Sequence, residues 1–230
     1  MKGINIKIVD VMGDDFRVFE AAKATLGGET ESEFKRGETD PTRLITFLAR
    51  EQHRTPFRHP QVTFECEAPI AIARQLGKHQ IGFSWNERSM RYRDSVIDVF
   101  IPDWFRGRPK KLHDGSTDID VADDYVKDNE FLAETVEQLY NEAMECSIRC
   151  YENLVASGLA PEQARFILPQ GMITRWIWTG SLYGWFEVYR QRSSEHAQYE
   201  VREFAAQLDK HMSKLFPIAW KALKDTIKED

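Results

Sequence analysis

Apolar and polar positions along the chain predict a mixed architecture with few strands and more helix. Ile4, Ile6 and Ile8 alternate with polar neighbours, which predicts a first strand running into the Gly13-Asp14 turn. Residues 16–26 then carry helical spacing until Gly27-Gly28 breaks it. Asp40-Pro41 predicts a second helix start, with Asp40 as N-cap, Pro41 at the first helical position, and Leu44, Ile45 and Leu48 on one face. Val62, Phe64 and Cys66 alternate with Thr63 and Glu65 as in a half-buried strand; Pro69 then opens a helix to about residue 78, and 96–104 reads as another strand. From residue 129 the pattern is helical: 131–156 stopped by Ser157-Gly158, a short helix from Pro161, and an aromatic helix over about 174–190. A long amphipathic helix follows over 194–215, capped by Ser194 and striped by Ala197, Val201, Phe204, Leu208, Met212 and Leu215. No repeat or Pro/Gly/Ser linker divides the chain, so one domain over residues 1–230 is expected.

Charge changes the picture more than composition does. Of 230 residues, 31 are basic and 37 acidic, a formal net charge of −6, and no apolar run approaches the ~20 residues that span a bilayer. The N-terminal strand has no signal-peptide core, and three cysteines (Cys66, Cys146, Cys150) form no paired framework; a cytoplasmic protein with structural thiols is expected. The charge is uneven: residues 1–115 carry 19 basic and 17 acidic side chains, residues 116–230 carry 12 and 20. Seven acids against Lys127 alone in 118–134 read as a solvated loop and helix start. Neither G-x-G-x-x-G nor G-x-x-x-x-G-K-[ST] occurs. His53 and His59, six apart with no third ligand, do not suggest a metal.

Against that acidic background stands a basic segment. Arg74, Lys78, Arg88, Arg91 and Arg93, with His79, face the single acid Glu87, interleaved with Gln75, Gln80, Ser84, Asn86 and Ser89. Such a set suits an anion held by charge-assisted and bidentate hydrogen bonds; the alternative is a solvent-exposed basic loop.

The stretch Ala68-Pro69-Ile70, Ala73-Arg74-Gln75, Lys78-His79-Gln80 and Asn86-Glu87-Arg88-Ser89-Met90-Arg91-Tyr92 resembles the signature of the flavin-dependent thymidylate synthases. His53-Arg54-Thr55-Pro56-Phe57-Arg58-His59 is similar to that family's H-x-T-P-F-x-H segment. Downstream, Ala164-Arg165, Leu168-Pro169, Thr174-Arg175, Trp178-Thr179 and Arg192 with Glu195-His196-Ala197-Gln198 match in order. The chain departs from the family's Arg-His-Arg by Lys78 and Gln80, and its loop to Ser89 is one residue longer.

The resemblance implies an α+β fold, a single domain with a small, mostly antiparallel sheet flanked by long helices. It further implies transfer of a methylene from methylenetetrahydrofolate to C5 of dUMP, completed by hydride from FAD that NADPH has reduced. The implied dUMP contacts are Gln75, Lys78, Glu87, Arg88, Ser89, Met90, Arg91, Arg165 and Arg192, with Arg192 as the catalytic group favouring uracil ionisation at N3. Implied FAD contacts are Thr25, His53, Thr55, Lys78, His79, Gln80, Glu87, Ser181, Tyr183 and Glu187. The implied assembly is a homotetramer with active sites between subunits. No cysteine lies in the Pro-Cys-His setting used by thiolate-dependent thymidylate synthases, in keeping with a flavin route. Trp176, Trp178, Tyr183, Trp185, Phe186 and Tyr189 are expected to pack rather than stack on a cofactor. Two other readings stand beside the enzyme: a single-stranded nucleic-acid module, disfavoured by the acidic balance, and an inactive relative that keeps the fold.

Overall fold

A computed structural model describes residues 3–24, 35–89, 97–111, 115–126 and 134–227. Four strands, β1 (Asn5–Met12), β2 (Gln61–Pro69), β3 (Phe83–Glu87) and β4 (Ile173–Ser181), pair in the order β1-β2-β4-β3. The register is set by side-chain pairs. Thr63 meets Thr179 at 2.9 Å while Glu67 ion-pairs with Arg175, so β2 and β4 run antiparallel. Trp85 stacks on Trp176 and Thr174 donates to Glu87, so β3 is antiparallel to β4. Gly13, just past β1, approaches Pro60, just before β2, giving the same sense to that pair.

Eight helices accompany the sheet among the described residues: α1 (Asp15–Lys23), α2 (Thr42–Arg50), α3 (Ile70–Leu76), α4 (Val136–Ala156), α5 (Pro161–Ala164), α6 (Leu182–Arg192), α7 (Tyr199–Leu215) and α8 (Pro217–Lys224). Two compact units emerge, one of Met1–Asn5, Glu67–Gln75 and Glu87–Arg175, the other of Ile6–Cys66, Leu76–Asn86 and Trp176–Asp230. The first is centred on Ile97, Tyr151, Ala164 and Met172. In the second, alternate residues of β2 (Val62, Phe64, Cys66) and β4 (Trp176, Trp178) meet Trp185 of α6 and the fully buried α7 stripe of Val201, Phe204, Leu208 and Met212. α7 also covers the outer backbone of β1, since Gln207 accepts from the Ile6 N–H and the His211 ring hydrogen-bonds the Ile6 carbonyl.

Several expectations are corrected. The segment over 174–190 is not one helix: β4 runs to Ser181 because Thr174, Trp176, Trp178 and Gly180 alternate inward, and only then does α6 begin. β3 lies where an arginine-rich loop was expected, its Phe83 and Trp85 filling the face of β4. Among the described residues of 96–104 there is no strand, only an isolated bridge from Val99 to Met172. α7 begins at Tyr199 rather than near Ser194, whose hydroxyl instead accepts from the His196 N–H in a preceding turn. Pro41 occupies the cap position of α2, although Asp40 still accepts from the Thr42 N–H. Cys66 is core, whereas Cys146 and Cys150 lie exposed on α4. Helix α8, not foreseen, has Pro217 at its start and no cap from its own residues.

That missing cap comes from the other end of the sequence. The buried Asp15 carboxylate accepts from the N–H groups of Ile218 (2.9 Å) and Ala219 (2.8 Å), two donors that a helix start leaves unsatisfied. Burial pushes its pKa up against the lowering pull of those two bonds. Asp15→Ala strands both donors, and a loss of about 1–3 kcal/mol of stability is expected, with Asp15→Asn less affected because one acceptor remains. Urea denaturation checks this; an unmoved midpoint for Asp15→Ala would remove the bond from the account.

Candidate active site

The second unit holds a cleft of about 390 Å³ whose lining includes Arg54, Arg58, Lys78, His79, Gln80, Phe83, Ser181, Tyr183, Glu187 and Arg192. Three segments build it. α6 supplies Tyr183, Glu187 and Arg192 from successive turns, starting where the Ser181 hydroxyl accepts from the Gly184 N–H and Leu182 donates to the Pro60 carbonyl. The turn after α3 supplies Lys78, His79 and Gln80, with Gly82 at φ +77° leading into β3. A short 3₁₀ turn, Pro56–Arg58, held by the buried Phe57, supplies Arg58 next to Arg54. Gly180 is required here, since a Cβ would stand 2.1 Å from the Phe83 ring that floors the cleft.

Two polar contacts organise the interior. Arg192 donates from Nε to His79 Nε2 at 3.0 Å. Burial, and then the charge of Arg192, push the His79 pKa down to about 4, so the imidazole is neutral at pH 7, accepts at Nε2 and carries its proton on Nδ1. Burial also draws Arg192 below its ordinary value. On the other wall, burial raises Tyr183 to about 12, helped by its hydrogen bond to Glu187. Burial by itself would raise Glu187, but bonds from Arg190 (2.7 Å) and Tyr183, with the charges of Arg190 and Arg54, hold it below the ordinary glutamate value and ionised. The guanidiniums of Arg54 and Arg58 lie 5.6 and 5.8 Å from the Tyr183 ring centre.

Of the residues expected to meet a flavin, Lys78, His79, Gln80, Ser181, Tyr183 and Glu187 come together in this cleft, with Arg192. His53 and Thr55 line a neighbouring depression with Arg54 and Arg58, and His53 a further one of about 560 Å³ beside α8. In the first unit, Glu87 accepts from Thr174 at 2.8 Å and the Arg88 N–H continues the pairing with β4 by donating to the Arg175 carbonyl. Ser89 follows, exposed; Gln75 stands on α3 with its amide oxygen buried, and Arg165 opens a 3₁₀ turn, its Nε donating to the Glu162 carbonyl. Thr25, Met90 and Arg91 lie outside the described residues. Among the described residues no group of three carboxylate, imidazole or thiol side chains is set to hold a metal. Arg54 and Arg58 were not singled out from the sequence, though both stand inside the H-x-T-P-F-x-H-like segment; their charge at those variable positions was the available signal.

The donor set fits a large, flat anion. Cations ring a site whose floor is aromatic, and neutral His79, Gln80 and Ser181 add directional hydrogen bonds. The class of protein is made specific by its relatives. Residues 7–218 match the family model described as thymidylate synthase complementing protein. A flavin-dependent thymidylate synthase of Kosmotoga olearia is 33% identical over 94% of this chain and 88% of its own. Another, of Thermosipho africanus, is 32% identical over 98% and 93%. The crystal structure of the UMP/dUMP methylase PolB from Streptomyces cacaoi, bound with 5-Br dUMP, superposes with a TM-score of 0.79 at 25% identity, covering 97% and 96% of the two chains. The chain belongs to the flavin-dependent thymidylate synthase family, a family of methyltransferase enzymes.

The His79 environment has a measurable consequence. Because its pKa falls from 6.5 to about 4 on folding, the unfolded chain takes up a proton that the folded chain refuses, so stability is lost as pH drops from about 6.5 towards 4. Replacing His79 by Gln should flatten that part of the stability-pH curve; a curve of unchanged slope would contradict the assignment.

Proposed function

We propose that this chain, read as one domain over residues 1–230, is a thymidylate synthase that methylates dUMP at C5, with methylenetetrahydrofolate as carbon donor, FAD as cofactor and NADPH as reductant. When bound, FAD supplies the hydride that completes the methyl group, and NADPH renews it. The observation that carries this reading is the Arg192–His79 hydrogen bond inside a cleft that also gathers Lys78, Gln80, Ser181, Tyr183 and Glu187.

The residue chemistry follows from that bond. A neutral imidazole acceptor, bonded at Nε, fixes the plane of the Arg192 guanidinium within the cleft. In the partly desolvated cleft, a fixed cation beside N3 and the adjacent carbonyl of uracil stabilises the negative charge that makes C5 nucleophilic. No thiolate is needed to raise the electron density of the ring. Cys66 is buried on β2, and burial pushes its thiol well above the ordinary value, so it is unsuited to attack.

Gln75, Lys78, Glu87, Arg88, Ser89, Met90, Arg91, Arg165 and Arg192 are the proposed dUMP contacts. Arg91 and Arg165 are the proposed phosphate partners, their planar forks suited to a monophosphate, and Ser89 acts as a hydrogen-bonding group. The proposed flavin contacts are Thr25, His53, Thr55, Lys78, His79, Gln80, Glu87, Ser181, Tyr183 and Glu187. A homotetramer is the proposed assembly; Ile81 (92% exposed) and Phe166 (79%) are apolar surfaces that support subunit contact. No described helix is long and apolar enough to cross a membrane, and a cytoplasmic enzyme is proposed.

Purified protein should show flavin absorbance bleached by NADPH and convert dUMP to dTMP only with methylenetetrahydrofolate present. Arg192→Ala should keep the flavin spectrum and the oligomeric mass while losing at least about two orders of magnitude in turnover, the scale of a lost oxyanion-type donor. Full turnover in that variant would sink the role given to Arg192.

A further inference from the structure

The signature turn of this chain is short of charge. Lys78 replaces a planar fork by a point charge and Gln80 replaces a cation by a neutral amide, yet the cleft they line remains strongly cationic. Its charge comes from another segment. Arg54 and Arg58, four residues apart across the 3₁₀ turn, join Lys78 and Arg192 in the lining, against the carboxylate of Glu187, itself committed to Arg190 and Tyr183.

Their placement is built rather than incidental. Phe57, 1% exposed, anchors the turn from below, and the Arg58 carbonyl accepts from the Gln61 side chain. Gln52 sits in the left-handed region at φ +59°, the only non-glycine residue with positive φ among the described ones, and its side-chain oxygen accepts from Arg54 Nη2. Both guanidiniums lie within 6 Å of one Tyr183 ring centre. Among the described residues neither makes an ion pair within 4.0 Å with a carboxylate. Two planar guanidinium forks lining one cleft suit phosphoryl oxygens.

We propose that Arg54 and Arg58 are phosphate-binding residues for the flavin nucleotide, replacing from the turn before β2 the charge that the 78–80 turn lacks. This rests on the reading of the cleft as the FAD site. The ligand chemistry recognised is the diphosphate of a dinucleotide, with the Tyr183 ring serving as the platform that holds both forks at the cleft wall.

The test is FAD affinity of flavin-stripped protein, measured by calorimetry at several salt concentrations for wild type, R54Q, R58Q, R54Q/R58Q and R54K/R58K, with thermal midpoints recorded alongside. The double Gln variant should bind FAD about tenfold or more weakly at an unchanged midpoint, with a shallower salt dependence, and the double Lys variant should recover part of the loss and the salt slope. An FAD dissociation constant within about twofold of wild type in R54Q/R58Q would overturn the proposal, as would equal weakening in the Gln and Lys pairs with an unaltered salt slope, or a rise in KM for methylenetetrahydrofolate alone. Wild-type protein that binds no FAD would overturn this proposal and the flavin-site reading together, whereas FAD binding indifferent to residues 54 and 58 would overturn this one only.

Discussion

The junction at Ser181 is the constraint on which the cleft depends. There a strand buried by Trp176 and Trp178 turns without a connecting loop into α6, the serine hydroxyl satisfying the Gly184 N–H while Leu182 donates to the Pro60 carbonyl. The first bond fixes the helix phase, so that Tyr183 and Glu187 share one face. The second ties that face to the segment carrying Arg54 and Arg58. Because strand and helix are continuous, an error in the register of β4 would rotate every α6 side chain out of the cleft. The Phe83 ring, admitted only because residue 180 has no Cβ, locks the junction from the β3 side.

Electrostatics then divides the labour within a small volume. His79 stays uncharged because burial and a neighbouring cation both oppose its protonation, and an uncharged acceptor is what a fixed Arg192 requires. Glu187 stays charged for the opposite reason, its burial being outweighed by Arg190, Tyr183 and Arg54. One wall therefore presents a guanidinium oriented by a neutral ring and the other a phenol flanked by two guanidiniums. Groups of the same chemical type thus serve different purposes through differences in neighbours alone.

What the sequence disclosed was uneven, for physical reasons. β2 and the stripe of α7 were legible because each buries one face with its own period, 2 or 3.6. The segment 174–190 misled because aromatic residues suit both states; only the inward alternation of Thr174, Trp176, Trp178 and Gly180, visible once neighbouring strands are known, distinguishes strand from helix. β3 was hidden because five residues with polar alternates look like loop. In the candidate site, residues fixed by the resemblance (Lys78, His79, Gln80, Arg192) gathered together, while Arg54 and Arg58 escaped notice since their partner is a ring more than a hundred residues away. Cys146 and Cys150, expected in the core from thiol hydrophobicity, lie on the outer side of α4, whose single fully buried residue is Tyr151.

The carboxylate that caps α8 closes the molecule in a way that bears on how it forms. Asp15 and its two donors are separated by 203 and 204 positions in sequence, so that bond has one of the largest loop-closure costs the chain can incur. Contacts of such span raise contact order and are made late, after local helices and hairpins have organised. During synthesis the Asp15 carboxylate cannot meet these donors until more than 200 further residues have been added. Until α8 docks, both the Asp15 carboxylate and the first turn of α8 lack the partners that satisfy them in the folded structure.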